Sequence, residues 1–289
     1  MPNTIELAKK YVPLLDEVYK NASLSADLDG AAELVREGAN ANELVIPMLT
    51  MDGLANYSRN GGYVSGDVDL TWQTKKCNYD RGRKFTVDAM DDEESANIAF
   101  GRLAGEFVRV RVAPEVDAFR FAAYASAEGI GTASGALSSG ANVLTALRAA
   151  STAMDEAEVP MDERYLYITP TLKGMIEDLD TTKSKEVMAR FAKIVAVPHS
   201  RFYSKITLKD GVTEDQKQGG YAVAEDGKAL NFLIVHKGAV IQFPKHVVPR
   251  IFSPSQNQNA DAWQYDYRNM GIAEVYQNKV AGIYAHITA

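Results

Sequence analysis

Apolar and polar side chains alternate through much of residues 57–89, the pattern of strands with one apolar and one polar face. The apolar face of the first stretch carries Val68, Leu70, Trp72 and Thr74. A second stretch, 83–88, alternates around Phe85 and Val87, and residues 79–82 between the two have the composition of a turn. We therefore predict a long β-hairpin. Because an isolated two-stranded hairpin is marginal in water, we expect another copy of the chain to support it.

Residues 91–112 predict a long helix. Its start carries four acids that complement the helix dipole, namely Asp91, Asp92, Glu93 and Glu94. Asp91 and Glu94 have capping-box spacing, and apolar residues then recur at helical intervals as far as Val110. Pro114 is expected to end or bend this helix, and residues 115–128 predict a second one.

The other segments complete an α+β pattern with interleaved helices and strands. Residues 1–50 are interpreted as an N-terminal arm. Asn142 is expected to cap a helix through Met154, and Thr169-Pro170 predicts the start of another. Strands are predicted at 164–169, 193–197, 231–236, 263–268, 272–276 and 280–288.

The composition is that of a soluble globular protein large enough for about two domains. Of its 289 residues, 46% are hydrophobic and 24% are charged, and the net charge is -7. The absence of a cluster of five Lys or Arg residues argues against a surface that reads DNA sequence. The sequence has neither a signal-peptide core nor an apolar run long enough for a membrane, so we expect a soluble protein without a membrane partner. The single cysteine, Cys77, excludes an intrachain disulfide and fits a reducing compartment.

Candidate catalytic groups are few. Asp88 and the acids at 91–94 are interpreted as a helix cap and a solvated acidic face rather than as paired catalytic carboxylates. Cys77 lies beside Lys75 and Lys76, which could lower its pKa, but a thiol on a projecting hairpin would have no pocket. The four histidines are not spaced as metal ligands. We therefore predict no catalytic activity, no metal and no cofactor.

Two glycine patterns have alternative interpretations. The string GxGxxxG at 129–135 follows an Ala-rich helix and not the strand that a dinucleotide site needs, so a flexible connector is predicted. Gly101 and Gly105 form GxxxG within the long helix. They fit either close approach of another backbone or simple tolerance of glycine in a weak helix.

Four stretches, in order, resemble one family of proteins. They are 81–94 (RGRKFTVDAMDDEE), 112–121 (VAPEVDAFRF), 164–175 (RYLYITPTLKGM) and 227–240 (GKALNFLIVHKGAV). The chain resembles the major capsid proteins of tailed double-stranded DNA bacteriophages, whose fold is named for phage Hong Kong ninety-seven. The resemblance implies an N-terminal arm at 1–56, an extended loop at 57–90, a peripheral domain with a spine helix at 91–135 and 241–289, and an axial domain at 136–240.

The resemblance also implies a structural function. Such subunits would assemble into the pentamers and hexamers of an icosahedral head that encloses DNA without sequence specificity. The expected partners are further copies of the chain, a separate scaffolding protein and a portal. The expected location is the virion capsid, after synthesis in the host cytoplasm. The alternatives are an encapsulin-like nanocompartment shell, or a cytosolic enzyme with an unrecognised site.

Contacts between subunits are predicted at two places. Trp72 and Phe85 are expected to be buried against a neighbour, because the hairpin has too little packing of its own. The basic end of the hairpin is expected to meet acidic surface of an adjacent subunit, with the acids at 91–94 as a candidate. The basic residues concerned are Arg81, Arg83 and Lys84.

Overall fold

The computed structural model describes residues 22–30, 36–37, 42–94, 98–179 and 181–289, with side chains described throughout except at 36–37, 48–50 and 92–102. Its α-helices are α1 (Ala89–Glu94), α2 (Ile98–Phe107), α3 (Ala113–Ala125), α4 (Gly140–Glu156), α5 (Pro170–Glu177) and α6 (Thr182–Met188). Its strands are β1 (Arg36–Glu37), β2 (Glu43–Met51), β3 (Val68–Lys76), β4 (Tyr79–Asp88), β5 (Gly131–Ser134), β6 (Arg164–Ile168), β7 (Lys193–Ala196), β8 (Ile206–Leu208), β9 (Tyr221–Val223), β10 (Leu230–His236), β11 (Val240–Phe252), β12 (Ala262–Val275) and β13 (Ile283–Ile287). The predicted α+β class is confirmed.

A five-stranded sheet, ordered β5-β13-β10-β6-β7, has a buried core on both of its faces. Leu166 and Ile234 point to one face, where Val143 and Leu147 of α4 cover them. The alternate residues, among them Tyr167, point to the other face and are covered by α3. Because both faces are buried, β6 and β10 carry near-continuous apolar runs, which is why they could be predicted.

A second sheet, ordered β11-β12-β4, carries the long helix. β4 pairs with β12 in antiparallel register from Tyr79 opposite Gly271 to Asp88 opposite Ala262. Side chains of the helix and the sheet form one apolar cluster between them: Tyr79, Ala104, Val108, Val112, Val116, Tyr265 and Tyr267.

The predicted hairpin of two alternating stretches is wrong. β3 and β4 are consecutive, but β3 pairs with β2 and β4 pairs with β12. The chain changes partner at Cys77 and Asn78, so residues 79–82 are part of a strand and not a turn. The inward side chains of β4, Tyr79 and Phe85, have aromatic partners in the second sheet and on the long helix, and this burial outweighs pairing with β3.

Pro114 does not end the long helix. A π-helical segment, Val108–Val112, joins α2 to α3, and its flanking residues keep helical dihedral angles. Proline has no N–H to donate to the carbonyl four residues earlier, and the wider π turn directly before Pro114 accommodates that loss.

The helix start predicted at Thr169-Pro170 is confirmed, since α5 begins at Pro170, but the other two predicted caps are wrong. α1 begins at Ala89, and the Oδ1 atom of Asp88, not Asp91, accepts a hydrogen bond from the backbone N–H of Met90 at 2.9 Å. α4 is capped by Ser139, whose Oγ accepts from the N–H of Asn142 at 3.3 Å. In each case a residue with a short polar side chain lay just upstream of the predicted cap.

The C-terminal strands also differ from the prediction. The two stretches 263–268 and 272–276 are one strand, β12, because β11 pairs along most of its length. β11 was not predicted. β13 pairs with β10 in the five-stranded sheet, so the segment 241–289, expected to belong to the peripheral domain, contributes to both sheets.

The glycine string at 129–135 contains strand β5, Gly131–Ser134, and is not a flexible connector. β5 runs parallel to β13. A Cβ atom at Gly131 would lie 2.5 Å from Cδ2 of Tyr284, so the close contact between these strands requires glycine there. At Gly105, apart from its chain neighbours and the backbone of its own helix, no described atom lies within 4 Å of a Cβ position, so no other described backbone packs against that glycine.

Candidate assembly surface

Strands β2 and β3 with the loop 52–67 form a ribbon, residues 43–76. At its base β1 pairs with β2 as a third strand, and the base is fixed to the second sheet. Leu44 and Ile46, 1% and 3% exposed, pack against Ile241 and Ile272. The Nζ atom of Lys75 lies 3.0 Å from Oε2 of Glu274, which adds an ion pair at the same place. The base of the ribbon is therefore part of the subunit core.

Beyond its base the ribbon is exposed. Its large apolar side chains in solvent are Met51, Leu54, Tyr57, Tyr63, Val64, Val68, Leu70 and Trp72. Leu54 is fully exposed and Trp72 is 42% exposed. A concentration of exposed apolar side chains of this kind is typical of a site of protein contact.

Register places much of this apolar surface on one face. Trp72 lies opposite Pro47, and Val68 lies opposite Met51. Directly opposed residues share a face of an antiparallel pair. Leu44 and Ile46 alternate with Pro47 along β2 and point to the core, so the face with Trp72 points outward.

The ribbon tip has local order of its own. The N–H of Gly62 donates to the carbonyl of Ser58 at 2.8 Å, and the N–H of Ser58 donates back at 3.1 Å. The rings of Tyr57 and Tyr63 lie next to this turn with their centroids 4.9 Å apart. The tip therefore presents two aromatic side chains in a defined arrangement.

Trp72 and Phe85 were predicted to lie on one hairpin, and the structure separates them. Trp72 lies on the ribbon, as expected. Phe85 lies on β4, where its ring centroid is 4.8 Å from that of Phe107 and 6.4 Å from that of Tyr265. The premise that Phe85 lacks partners in its own subunit is wrong.

The predicted basic residues have different surroundings. The Nε atom of Arg81 lies 2.8 Å from Oε1 of Glu115 within the same chain. Arg83 Nη2 donates to the backbone carbonyl of Lys217 at 2.9 Å. Lys84 and Asp91 are exposed, and the side chains at 92–94 lie outside the described ones. A contact between Lys84 and the acids of a neighbour stays a prediction.

Sequence reasoning missed the role of Glu115. Its Oε1 atom accepts hydrogen bonds from both Arg81 and the hydroxyl of Tyr79, the latter at 3.1 Å. Burial, and then the nearby Glu115 carboxylate, raise the pKa of Tyr79 well above its usual range, so Tyr79 stays a neutral donor. The alternation of Tyr79, Arg81 and Arg83 was a signal that these side chains share one face of β4.

Among the described residues, the shifted pKa values do not indicate an activated nucleophile. Burial raises the pKa of the Cys77 thiol, and the opposing effect of nearby Lys245 is smaller. Burial lowers the pKa of both His236 and His286. Within the described residues, no three His, Cys, Asp or Glu side chains form a group that could hold a metal ion. None of the described helices combines the length and the apolar character needed to cross a membrane.

Comparison with solved structures identifies the class of fold. A chain from Gordonia phage Cozz has a TM-score of 0.58 at 13% identity, and the match covers 92% of this chain and 86% of that one. The capsid structure of Staphylococcus phage Andhra matches with a TM-score of 0.55 at 12% identity, over 91% of this chain and 83% of that one. A virus-like particle from Pyrococcus furiosus matches with a TM-score of 0.54 at 12% identity, over 96% of this chain and 99% of that one.

These likenesses establish the fold. The chain has the fold of phage capsid subunits, and the expectation of the Hong Kong ninety-seven type is confirmed. At the level of sequence, no protein-family model and no curated protein matches the chain.

Proposed function

We propose that this chain is the major capsid protein of a tailed bacteriophage and that it assembles into the closed shell of the phage head. The observation that carries the proposal is the outward apolar face of the ribbon on a chain with a capsid fold. Apolar side chains such as Leu54 and Leu70 gain free energy only when water is removed from them. A second copy of the chain would supply the missing cover.

Repetition of one such contact can build a shell. In this proposal the ribbon of each subunit packs on a different surface of its neighbour, which makes the contact head-to-tail and not self-complementary. Head-to-tail contacts close into rings when the rotation between subunits allows it. In this proposal the rings are pentamers and hexamers. Residues 1–56 are the N-terminal arm and residues 57–90 are the extended loop. Residues 91–135 with 241–289 form the peripheral domain, and residues 136–240 form the axial domain.

The proposed partners follow from the same role. A separate scaffolding protein would guide assembly and a portal would occupy one vertex. The enclosed double-stranded DNA would be held without sequence specificity, since a subunit of net charge -7 offers little counterion release to DNA. The protein would be made in the host cytoplasm and would end in the virion capsid, with no catalytic activity of its own.

Sedimentation and electron microscopy of the purified protein test this function. We expect rings of five or six subunits or closed particles, even if a scaffolding protein is needed for shells of uniform size. A species that sediments as the 31.6 kDa monomer at every concentration would contradict the proposal.

A cargo-holding compartment of the encapsulin type is the second candidate. The observation that favours it is the match to a virus-like particle from Pyrococcus furiosus, a particle whose name does not mention a phage. The contents of particles isolated from the native source separate the two candidates. Phage DNA supports a phage head, and a packaged protein supports a compartment.

A further inference from the structure

Arg81 is the centre of a contact between three segments of the chain. Its Nε atom donates to Oε1 of Glu115 on α3 at 2.8 Å. Its Nη1 and Nη2 atoms donate to the backbone carbonyls of Lys209 and Gly220, at 2.6 Å and 3.2 Å. The side chains of Arg81 and Glu115 are 23% and 13% exposed. One guanidinium therefore joins β4, α3 and the two ends of the loop 209–220.

Arg83 holds the same loop at a second place. Its Nη2 atom donates to the carbonyl of Lys217 at 2.9 Å. The loop approaches this guanidinium so closely that a Cβ atom at Gly211 would lie 2.9 Å from Nη1 of Arg83. Gly211 also has a φ of +76°, a conformation that favours glycine. The loop is therefore shaped around the arginine.

Other contacts of the loop lie mainly within the loop itself. The Oδ1 atom of Asp210 accepts from the N–H groups of Val212 and Thr213, at 2.8 Å and 2.9 Å. The N–H of Lys209 donates to the carbonyl of Gly220 at 2.9 Å and closes the loop. Val212 at the loop surface is 80% exposed. These bonds give the loop a shape but do not attach it to the helix and the sheet.

We propose that Arg81 and Arg83 are positioning residues that hold the loop 209–220 against the unit formed by β4 and α3. The planar fork of arginine carries donors on three nitrogens and can therefore reach acceptors on different segments, whereas the three donors of lysine lie on one nitrogen. The loop 209–220 belongs to the proposed axial domain. β4 belongs to the proposed extended loop, 57–90, and α3 belongs to the proposed peripheral domain. On the basis of the proposed function, this attachment gives every subunit the same shape before it meets its neighbours.

Limited trypsin digestion of the unassembled subunit tests the attachment. Trypsin cuts after Lys209 and Lys217, and the carbonyls of these two residues are the ones that Arg81 and Arg83 bind. In the double variant Arg81→Lys, Arg83→Lys, the number of tryptic sites is unchanged. Because cleavage follows the population of the open loop, we expect it to be about tenfold faster at these two sites, which corresponds to about 1.4 kcal/mol.

Arg268→Lys is the matched control. Arg268 lies on β12 opposite Gly82 and binds Asp80 with two hydrogen bonds of 2.9 Å and 2.7 Å, and it has no such bond to the loop. Unchanged cleavage in the double variant, or an equal increase in Arg268→Lys, overturns the proposal. If the double variant does not fold, the single variant Arg83→Lys replaces it, because Arg83 is exposed and its replacement should not unfold the chain. Unchanged cleavage after Lys217 in that variant then overturns the proposal.

Particle size tests the second part of the inference. We expect the double variant to form particles with a broader range of diameters than Arg268→Lys does. If trypsin cleaves the loop faster in the double variant but its particles are uniform in size, the role of the two arginines in assembly is overturned. Their attachment of the loop 209–220 would still stand. A wild-type chain that forms no particles would count against the proposed function instead, and the trypsin result would still decide whether the arginines hold the loop.

Discussion

Among single residues, the buried carboxylate of Asp117 fixes the described N-terminal segment to the core. Its oxygens accept hydrogen bonds from Ser23 Oγ at 2.8 Å, Leu24 N at 2.9 Å and Ser25 Oγ at 2.7 Å. Arg201 lies 3.2 Å from the same carboxylate, which is fully buried. A buried charge is tolerated only when it is paired and hydrogen-bonded, and Asp117 meets both conditions.

We expect Asp117→Asn to destabilise the unassembled subunit by about 3–5 kcal/mol, because it leaves Arg201 without its buried partner. Urea unfolding of the unassembled subunit measures this change. Asp27→Asn is the control in the same segment, since Asp27 and its partner Lys193 are both more than 40% exposed, at 42% and 48%. An exposed pair of this kind is worth about 0–1 kcal/mol. Equal losses in the two variants would show that the buried carboxylate has no special role.

Two of the functional single residues, Asp117 and Glu115, were not predicted from the sequence. Asp117 was not singled out, because an acid inside an apolar helix has no local pattern that reveals a partner such as Ser25, which is distant in the chain. Glu115 was missed for the same reason. Charged residues that are satisfied by tertiary contacts resemble solvated ones until the chain is folded.

Among the secondary-structure elements, the ribbon was predicted only in part, because its strand β3 was found but was given the wrong partner strand. The alternation around Trp72 correctly predicted β3, and the alternation around Phe85 correctly predicted most of β4. Apolar residues at every second position indicate a strand but do not show which other strand pairs with it. The true partner of β3, β2, contains Pro47, which lowers the strand signal of that segment.

Trp72→Ala tests the ribbon as an assembly element. Because Trp72 lies on the outward face, we expect the unassembled subunit to lose less than about 1 kcal/mol of stability, the size of a cross-strand contact. Assembly should be strongly reduced, since buried tryptophans dominate interface energies with losses of about 2 kcal/mol or more. Particle yield by electron microscopy and urea unfolding of the subunit measure the two effects.

Met161→Ala is the matched control for Trp72→Ala. Met161 is an apolar residue with similar exposure, 50%, that lies outside the ribbon. We expect its particle yield to equal that of the wild type. Normal assembly of Trp72→Ala, or an equal loss in both variants, would show that the ribbon is not the contact surface.

For the molecule as a whole, the class of fold was predictable and the division into sheets was not. The doubly buried strands β6 and β10 carry strong local signals, and their order with the helices gave the α+β class and the capsid resemblance. The long strands β11 and β12 depend on each other and on β4 for burial, so their extent could not be read from either segment alone.

The candidate site was predicted only in part for a related reason. Trp72 was found because it stands in an alternating strand. The exposed residues of the tip, such as Leu54 and Tyr63, lie among glycines and polar residues and have no periodicity. Their significance becomes visible only when the structure places them together in solvent, where apolar groups need a partner.

A cryo-electron microscopy reconstruction of the assembled wild-type protein tests the central claim most directly. We expect a closed shell in which a neighbouring subunit covers the outward face of each ribbon, so that Trp72 loses the 42% exposure it has in the single chain. A shell whose ribbons stand free in solvent with Trp72 exposed, or a chain that remains a monomer, would contradict it.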